Sequence, residues 1–255
     1  MFKIQAIMIN TFREAIRDRI LYNLLLFALL IIGGSILLGT LTIGEQQKII
    51  KDMGLASISI FGTLIAVFVG IGLVYKEIER KTVYNIISKP VHRYQFFIGK
   101  YLGLILTLLV NVLIMTGVFL SISYFMDGNI QRGLIEAIFL IFLELMIITA
   151  VALLFSTFTT PTLSAIFTLA IYVIGHLSRD LKVFGAKSEL VWVRHLTRSL
   201  YYLIPNLQNF NIKGLVVHNI PLPPHFILFS FLYGILYISI LLALAICIFE
   251  QRDFK

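Results

Sequence analysis

LIEAIFLIFLELMIITAVALLFSTF, Leu134–Phe158, holds only two charged residues, Glu136 near its start and Glu144 at its middle. A helix needs about 20 mostly apolar residues to cross a hydrocarbon core. This stretch exceeds that and is apolar on every face, so its natural solvent is lipid. Working outward, five more stretches meet or approach the same length: Leu21–Thr42, Leu55–Val74, Tyr101–Met126, Pro161–Leu177 and Phe226–Phe249. The fifth in chain order is short and opens on Pro161, which suits a first helical turn. The expected fold is all-α, a polytopic membrane protein of six transmembrane helices.

Composition agrees. Hydrophobic residues make up 59% of the 255 and charged residues 13%, more apolar surface than a soluble core could bury. The formal net charge is +8, from 21 Lys and Arg against 13 Asp and Glu. The bases lie between the apolar runs and form no isolated patch, so they point to topology and not to nucleic acid. Cys247 is the single cysteine and sits inside an apolar run, which excludes a disulfide framework and zinc-type Cys spacing. Residues 1–20 are charged throughout and precede a run too long for a signal peptide, so no cleaved leader is expected.

Basic residues in short loops mark the cytoplasmic side. Lys3, Arg13, Arg17 and Arg19 precede the first span, and Lys76, Arg80, Lys81, Lys89, Arg93 and Lys100 lie between the second and third. The alternate loops carry only Lys48 and Lys51, and then Arg132. Both termini are therefore expected in the cytoplasm. Segment 178–225 has further bases, but long loops translocate with less regard to charge. The whole of 1–255 reads as one transmembrane domain, with an N-terminal segment 1–20, a cytoplasmic link 75–100 and an extracytoplasmic loop 178–225. In the first, Met8, Phe12, Ile16 and Ile20 recur every four residues, as in a helix lying in the headgroup plane. In the last, Trp192, Val193, Leu196, Leu200 and Leu203 oppose Arg194 and Arg198 in a second amphipathic helix that Pro205 ends; an outer-leaflet helix and a surface loop both fit.

No phosphate loop, HExxH, GxSxG or GxGxxG is present, so no catalytic residue is assigned. The five histidines (His92, His176, His195, His218, His225) lack the i, i+3 or i, i+4 pairing of metal ligands and read as surface or interfacial groups; no metal site is assigned. Glu144 stands apart, because an ionised carboxylate at mid-span is costly unless it is paired or reaches water. It should face the interior as a substrate or proton contact, or as a structural hydrogen bond to a neighbouring helix. Asn111, in the third span, is the second substrate-path candidate and equally suits helix–helix hydrogen bonding. Gly62, Ala66 and Gly70, at four-residue spacing in the second span, would let another helix approach closely. A secondary transporter or channel using Glu144 as an intramembrane ion site is the alternative to any ATP-driven reading.

The link Tyr75–Gly103 reads YKEIERKTVYNIISKPVHRYQFFIGKYLG. Charge loads its start at Glu77, Glu79, Arg80 and Lys81. Val83, Ile86 and Ile87 give a short helical apolar patch, and Pro90 stops it. Such a patch calls for a protein partner or the inner leaflet.

Here the chain resembles the type-2 ATP-binding-cassette export permeases. The resemblance rests on Glu77, Glu79, Arg80, Lys81, Thr82, Ile86, Ile87, Lys89, Pro90, Arg93, Phe96, Phe97, Gly99 and Lys100, and on the C-terminal FEQRDF, in which Gln251 departs from the usual base. Tyr202–Lys213, YLIPNLQNFNIK, is similar to the segment before the last span in the subgroup that includes the permease of nitrous-oxide-reductase maturation. The resemblance implies an elbow helix before the first span and a coupling helix in the link, seated on an ATPase subunit. It implies two permeases, identical or homologous, with two copies of a separate ATPase that binds ATP and Mg, since this chain is expected to bind no cofactor. It also implies a bacterial inner membrane location and leaves open an extracytoplasmic partner protein.

Overall fold

In the computed structural model, which describes residues 2–42, 45–79, 92–187 and 190–251, every regular element among the described residues is helical. The helices are α1 (Phe2–Ile16), α2 (Arg19–Thr40), α3 (Gln46–Glu79), α4 (Arg93–Asp127), α5 (Arg132–Ser156), α6 (Pro161–His176), α7 (Ser178–Lys187), α8 (Val191–Leu203), α9 (Lys213–Val217) and α10 (Phe226–Gln251). A 3₁₀ turn, Leu207–Phe210, lies between α8 and α9. Local chemistry sets several boundaries. Asp18 accepts a hydrogen bond from the Ile20 amide at the start of α2, and Pro161 opens α6 where its missing amide hydrogen is not needed. Gly128 ends α4 at φ 68°, a left-handed conformation that a side chain would disfavour.

Five of these helices, α2, α3, α4, α5 and α10, are long and apolar enough to cross a membrane. A sixth crossing exists if α6 and α7, bent by 67° at Leu177, count as one broken span. Pro161–His176 alone is 16 residues, short of a full crossing. The helix matches the expected run Pro161–Leu177, and what the sequence did not show is that α7 follows it directly across a bend.

The stretch that opened the argument is also the centre of the bundle. α5 packs against α3, α4, α6, α9, α10 and the 3₁₀ turn, and its buried residues run from Leu134 to Ser156, leaving only Ile135 and Phe139 exposed between them. α2 and α10 lie at the outside, with Leu26, Phe27 and Leu30, and Leu228, Phe229 and Leu236, exposed as lipid-facing residues should be. The small stripe of α3 works by contact. A methyl group on Gly62 would lie 2.6 Å from Leu145 of α5, and Gly70 faces Leu104 of α4.

The N-terminal segment is not simply a surface helix: α1 packs on the start of α4 through Thr11 and Ala15, its two buried residues, and leaves the side-chain stripe Met8, Phe12 and Ile16 outside that contact. The close approach depends on Gly99 and Gly103, where an added methyl would lie 2.8 Å from Ile7 and 2.6 Å from Thr11. Segment 178–225 is no plain loop either. Leu207, Phe210 and Ile212 are buried within the bundle, so residues 204–217 form a strap across one end of it. The strap is held by Tyr237, whose hydroxyl donates to the Leu203 carbonyl at 2.6 Å, by the Asn206 amide donating to Tyr233 at 2.9 Å, and by Ser178 donating to Asn206 at 2.7 Å.

Candidate functional site

Glu144 is fully buried on α5, and neither carboxylate oxygen meets the geometry of a hydrogen bond. Its Oε1 lies 3.4 Å from Nε2 of His176, the last residue of α6. The other ring nitrogen of His176, Nδ1, is 3.1 Å from the Tyr172 carbonyl one turn back. The Tyr172 and His176 rings are 4.6 Å apart, and the Tyr172 hydroxyl is 3.4 Å from Ser59 Oγ on α3. Thr63, one turn further along α3, is buried as well.

Lys213, the first residue of α9, completes the group from the strap. Burial pulls its ammonium below the usual lysine range, while the carboxylates of Glu144 and of Asp52 on α3 act in the opposite direction. Charged and polar groups from α3, α5, α6 and α9 therefore gather around a fully buried carboxylate, where a bare charge is expensive.

Of the histidines read as surface groups, His176 is the correction. It faces the protein interior, only 20% exposed. Its partner is on another helix, so no i, i+4 pattern could reveal it; the one usable signal was a histidine ending a short, proline-opened span.

Asn111 on α4 is buried, and its amide donates 2.8 Å to the Thr107 carbonyl of its own helix. Among the described residues no hydrogen bond takes it to a second helix, and no hydrogen bond or ion pair joins it to Glu144. A cleft of about 810 Å³ opens between the start of α5 and residues 222–231, beside Arg132 and Glu136; neither Glu144 nor Asn111 lines it.

Of the coupling residues, Arg80, Lys81, Thr82, Val83, Ile86, Ile87, Lys89 and Pro90 lie outside the described residues. Glu77 and Glu79 belong to the last turn of α3, with side chains outside the description. Arg93 is placed: its guanidinium donates to the carbonyls of Phe249 and Glu250, each at 3.0 Å. Those carbonyls belong to the last turn of α10, where no intrahelical donor remains and a cation is favoured. Phe96 and Phe97 pack on Phe249, with ring centroids 6.3 and 4.7 Å away. Lys100 is buried 3.7 Å from the Glu14 carboxylate of α1. The last residues of the link thus bind both α1 and α10.

The sequence model of the ABC-2 family transporter proteins matches residues 5–254. The chain belongs to that family. None of the curated proteins compared with it matches. As an ABC-2 protein it is a membrane-embedded, multi-pass permease subunit of an ATP-binding-cassette transporter, a transport component rather than an enzyme. ABC-2 permeases work with a separate ATPase subunit. Membership favours that reading over a secondary transporter or channel.

Proposed function

We propose that the chain is the permease subunit of an exporter and takes its drive from the ATPase through the link between α3 and α4. The observation that carries the reading is the family match over residues 5–254, together with the coupling-type pattern of Glu77–Arg93 inside it. ATP and Mg bind to the partner ATPase, present in two copies. Two permeases, identical or homologous, face each other and form the path, in a bacterial inner membrane with both termini in the cytoplasm. The similarity of Tyr202–Lys213 supports a reading close to the nitrous-oxide-reductase-maturation subgroup.

Closure of the ATPase pair moves the link, and the link moves what it is attached to. Arg93, Phe96 and Phe97 join its end to the last turn of α10, and Lys100 joins it to α1, which supports α1 as an elbow that moves with it. Glu144 and Asn111 are the substrate-path residues of this reading.

Ile86→Asp with Ile87→Asp tests it by co-purification. Truncating apolar anchors at an interface centre often costs more than about 1 kcal/mol each, so the pair should release the ATPase or uncouple it while membrane insertion is unchanged. Lys187→Asp, in the segment expected outside the membrane, is the control. Normal transport with the ATPase retained in the double variant would remove the coupling role from this segment.

A further inference from the structure

We propose that Glu144 and His176 form a binding site for one proton at the break in the α6–α7 span. The Tyr172 carbonyl can only accept a hydrogen bond, so His176 Nδ1, 3.1 Å from it, must carry a hydrogen. In a neutral imidazole the other nitrogen, Nε2, then presents a lone pair. Nε2 lies 3.4 Å from Glu144 Oε1, close but off the line of a hydrogen bond, and an ionised carboxylate is also acceptor-only. Two acceptors this close, one fully buried and the other 20% exposed, repel. One proton, on either atom, turns the contact into an attraction and leaves the pair with no net charge.

Among the described residues, neither Glu144 oxygen has a hydrogen-bond partner, and the same is true of His176 Nε2. The charged and titratable groups acting on the pair are Tyr172 on α6 and Lys213 on α9, with Asp52 of α3 acting through Lys213. From α3 the Ser59 hydroxyl is directed at Tyr172. Tyrosines on the other packed helices are engaged elsewhere: Tyr101 of α4 donates to the Met146 carbonyl, and Tyr233 and Tyr237 of α10 bond to the backbone of Asn206 and Leu203.

The site has a mechanical consequence. His176 is the last residue before the 67° bend, and Gly175 beside it lies against Pro205 and Leu207 of the strap. Release of the proton to water leaves repulsion between α5 and the end of α6, at the point where the strap crosses. Uptake from water restores the contact. No other reactant is involved. The use of this proton in transport rests on the permease reading above; the proton count does not.

The test uses the full chain in lipid nanodiscs, without the ATPase. Infrared spectra at neutral pH should show a buried protonated carboxyl or an imidazolium that is lost in Glu144→Gln. The amide of Glu144→Gln can donate permanently to Nε2, and that of His176→Gln can donate to the carboxylate. Thermal unfolding of the wild type should therefore lose midpoint temperature as pH rises through proton release, a loss that both substitutions abolish. An ionised Glu144 beside a neutral His176 at neutral pH, or a slope unchanged in both variants, overturns the proposal. If Glu144→Gln fails to fold, the wild-type spectrum and His176→Gln still decide it. Failure of the permease reading would appear separately, in the co-purification, where neither residue is altered.

Discussion

Arg93 joins two motifs that are 156 positions apart in the chain. Its two bonds to the end of α10 are charge-assisted, a kind that contributes about 1.5–3 kcal/mol when sheltered. Half-exposed, the pair contributes less. Arg93→Gln is expected to lower stability by roughly 1 kcal/mol and to speed amide exchange in the last turn of α10, read by mass spectrometry. Unchanged exchange there would show that the Phe249 packing alone holds the helix end. Glu144→Gln belongs to the same scale: it should alter transport or substrate-stimulated ATPase activity while expression stays near normal. A variant that transports like the wild type would take Glu144 off the substrate path.

At the scale of elements, the α1–α4 contact shows how small residues set a helix pair. An added side chain at Gly103 must displace the Met8 carbonyl, 2.7 Å from the methyl position, as well as Thr11. Backbone cannot yield as a flexible side chain does. Gly103→Leu should cost roughly 1–3 kcal/mol, the usual penalty of overpacking, and should expose α1 to protease in the intact protein. Gly70→Ala is the contrast, because its nearest neighbour, Leu104, is at an ordinary 3.7 Å. Equal protection of α1 in Gly103→Leu and wild type would show that the contact forms differently.

For the whole molecule, the sidedness read from basic residues has a direct check. With Cys247→Ala as background, single cysteines at Lys48, Arg132 and Lys187 should react with an impermeant thiol reagent added outside cells, and one at Lys81 should not. Labelling at position 81 from outside would overturn the six-span topology. Position 187 is the sharpest probe of the broken span, since it ends α7 after the bend. If α6 and α7 together cross the membrane, positions 132 and 187 share a side; labelling of only one of them would show that they do not.

The sequence by itself determined the membrane class, the helical fold, the presence of the long apolar helices and the family, though α3 and α4 begin well before the expected spans Leu55–Val74 and Tyr101–Met126. These follow from unbroken apolar length and from residues close together in the chain, quantities that need no partner to be read. It also singled out Glu144, because a carboxylate amid apolar residues is conspicuous wherever the helix ends up. What the carboxylate meets was decided only by tertiary structure: His176 is 32 positions further on and Lys213 lies in a segment that read as a loop. The break at Leu177, the burial of Leu207 and Phe210, and the choice of Thr11 and Ala15 as the packed face of α1 are of the same kind. Each depends on which surfaces come together, and a periodic pattern records only that a helix has a face, not what covers it.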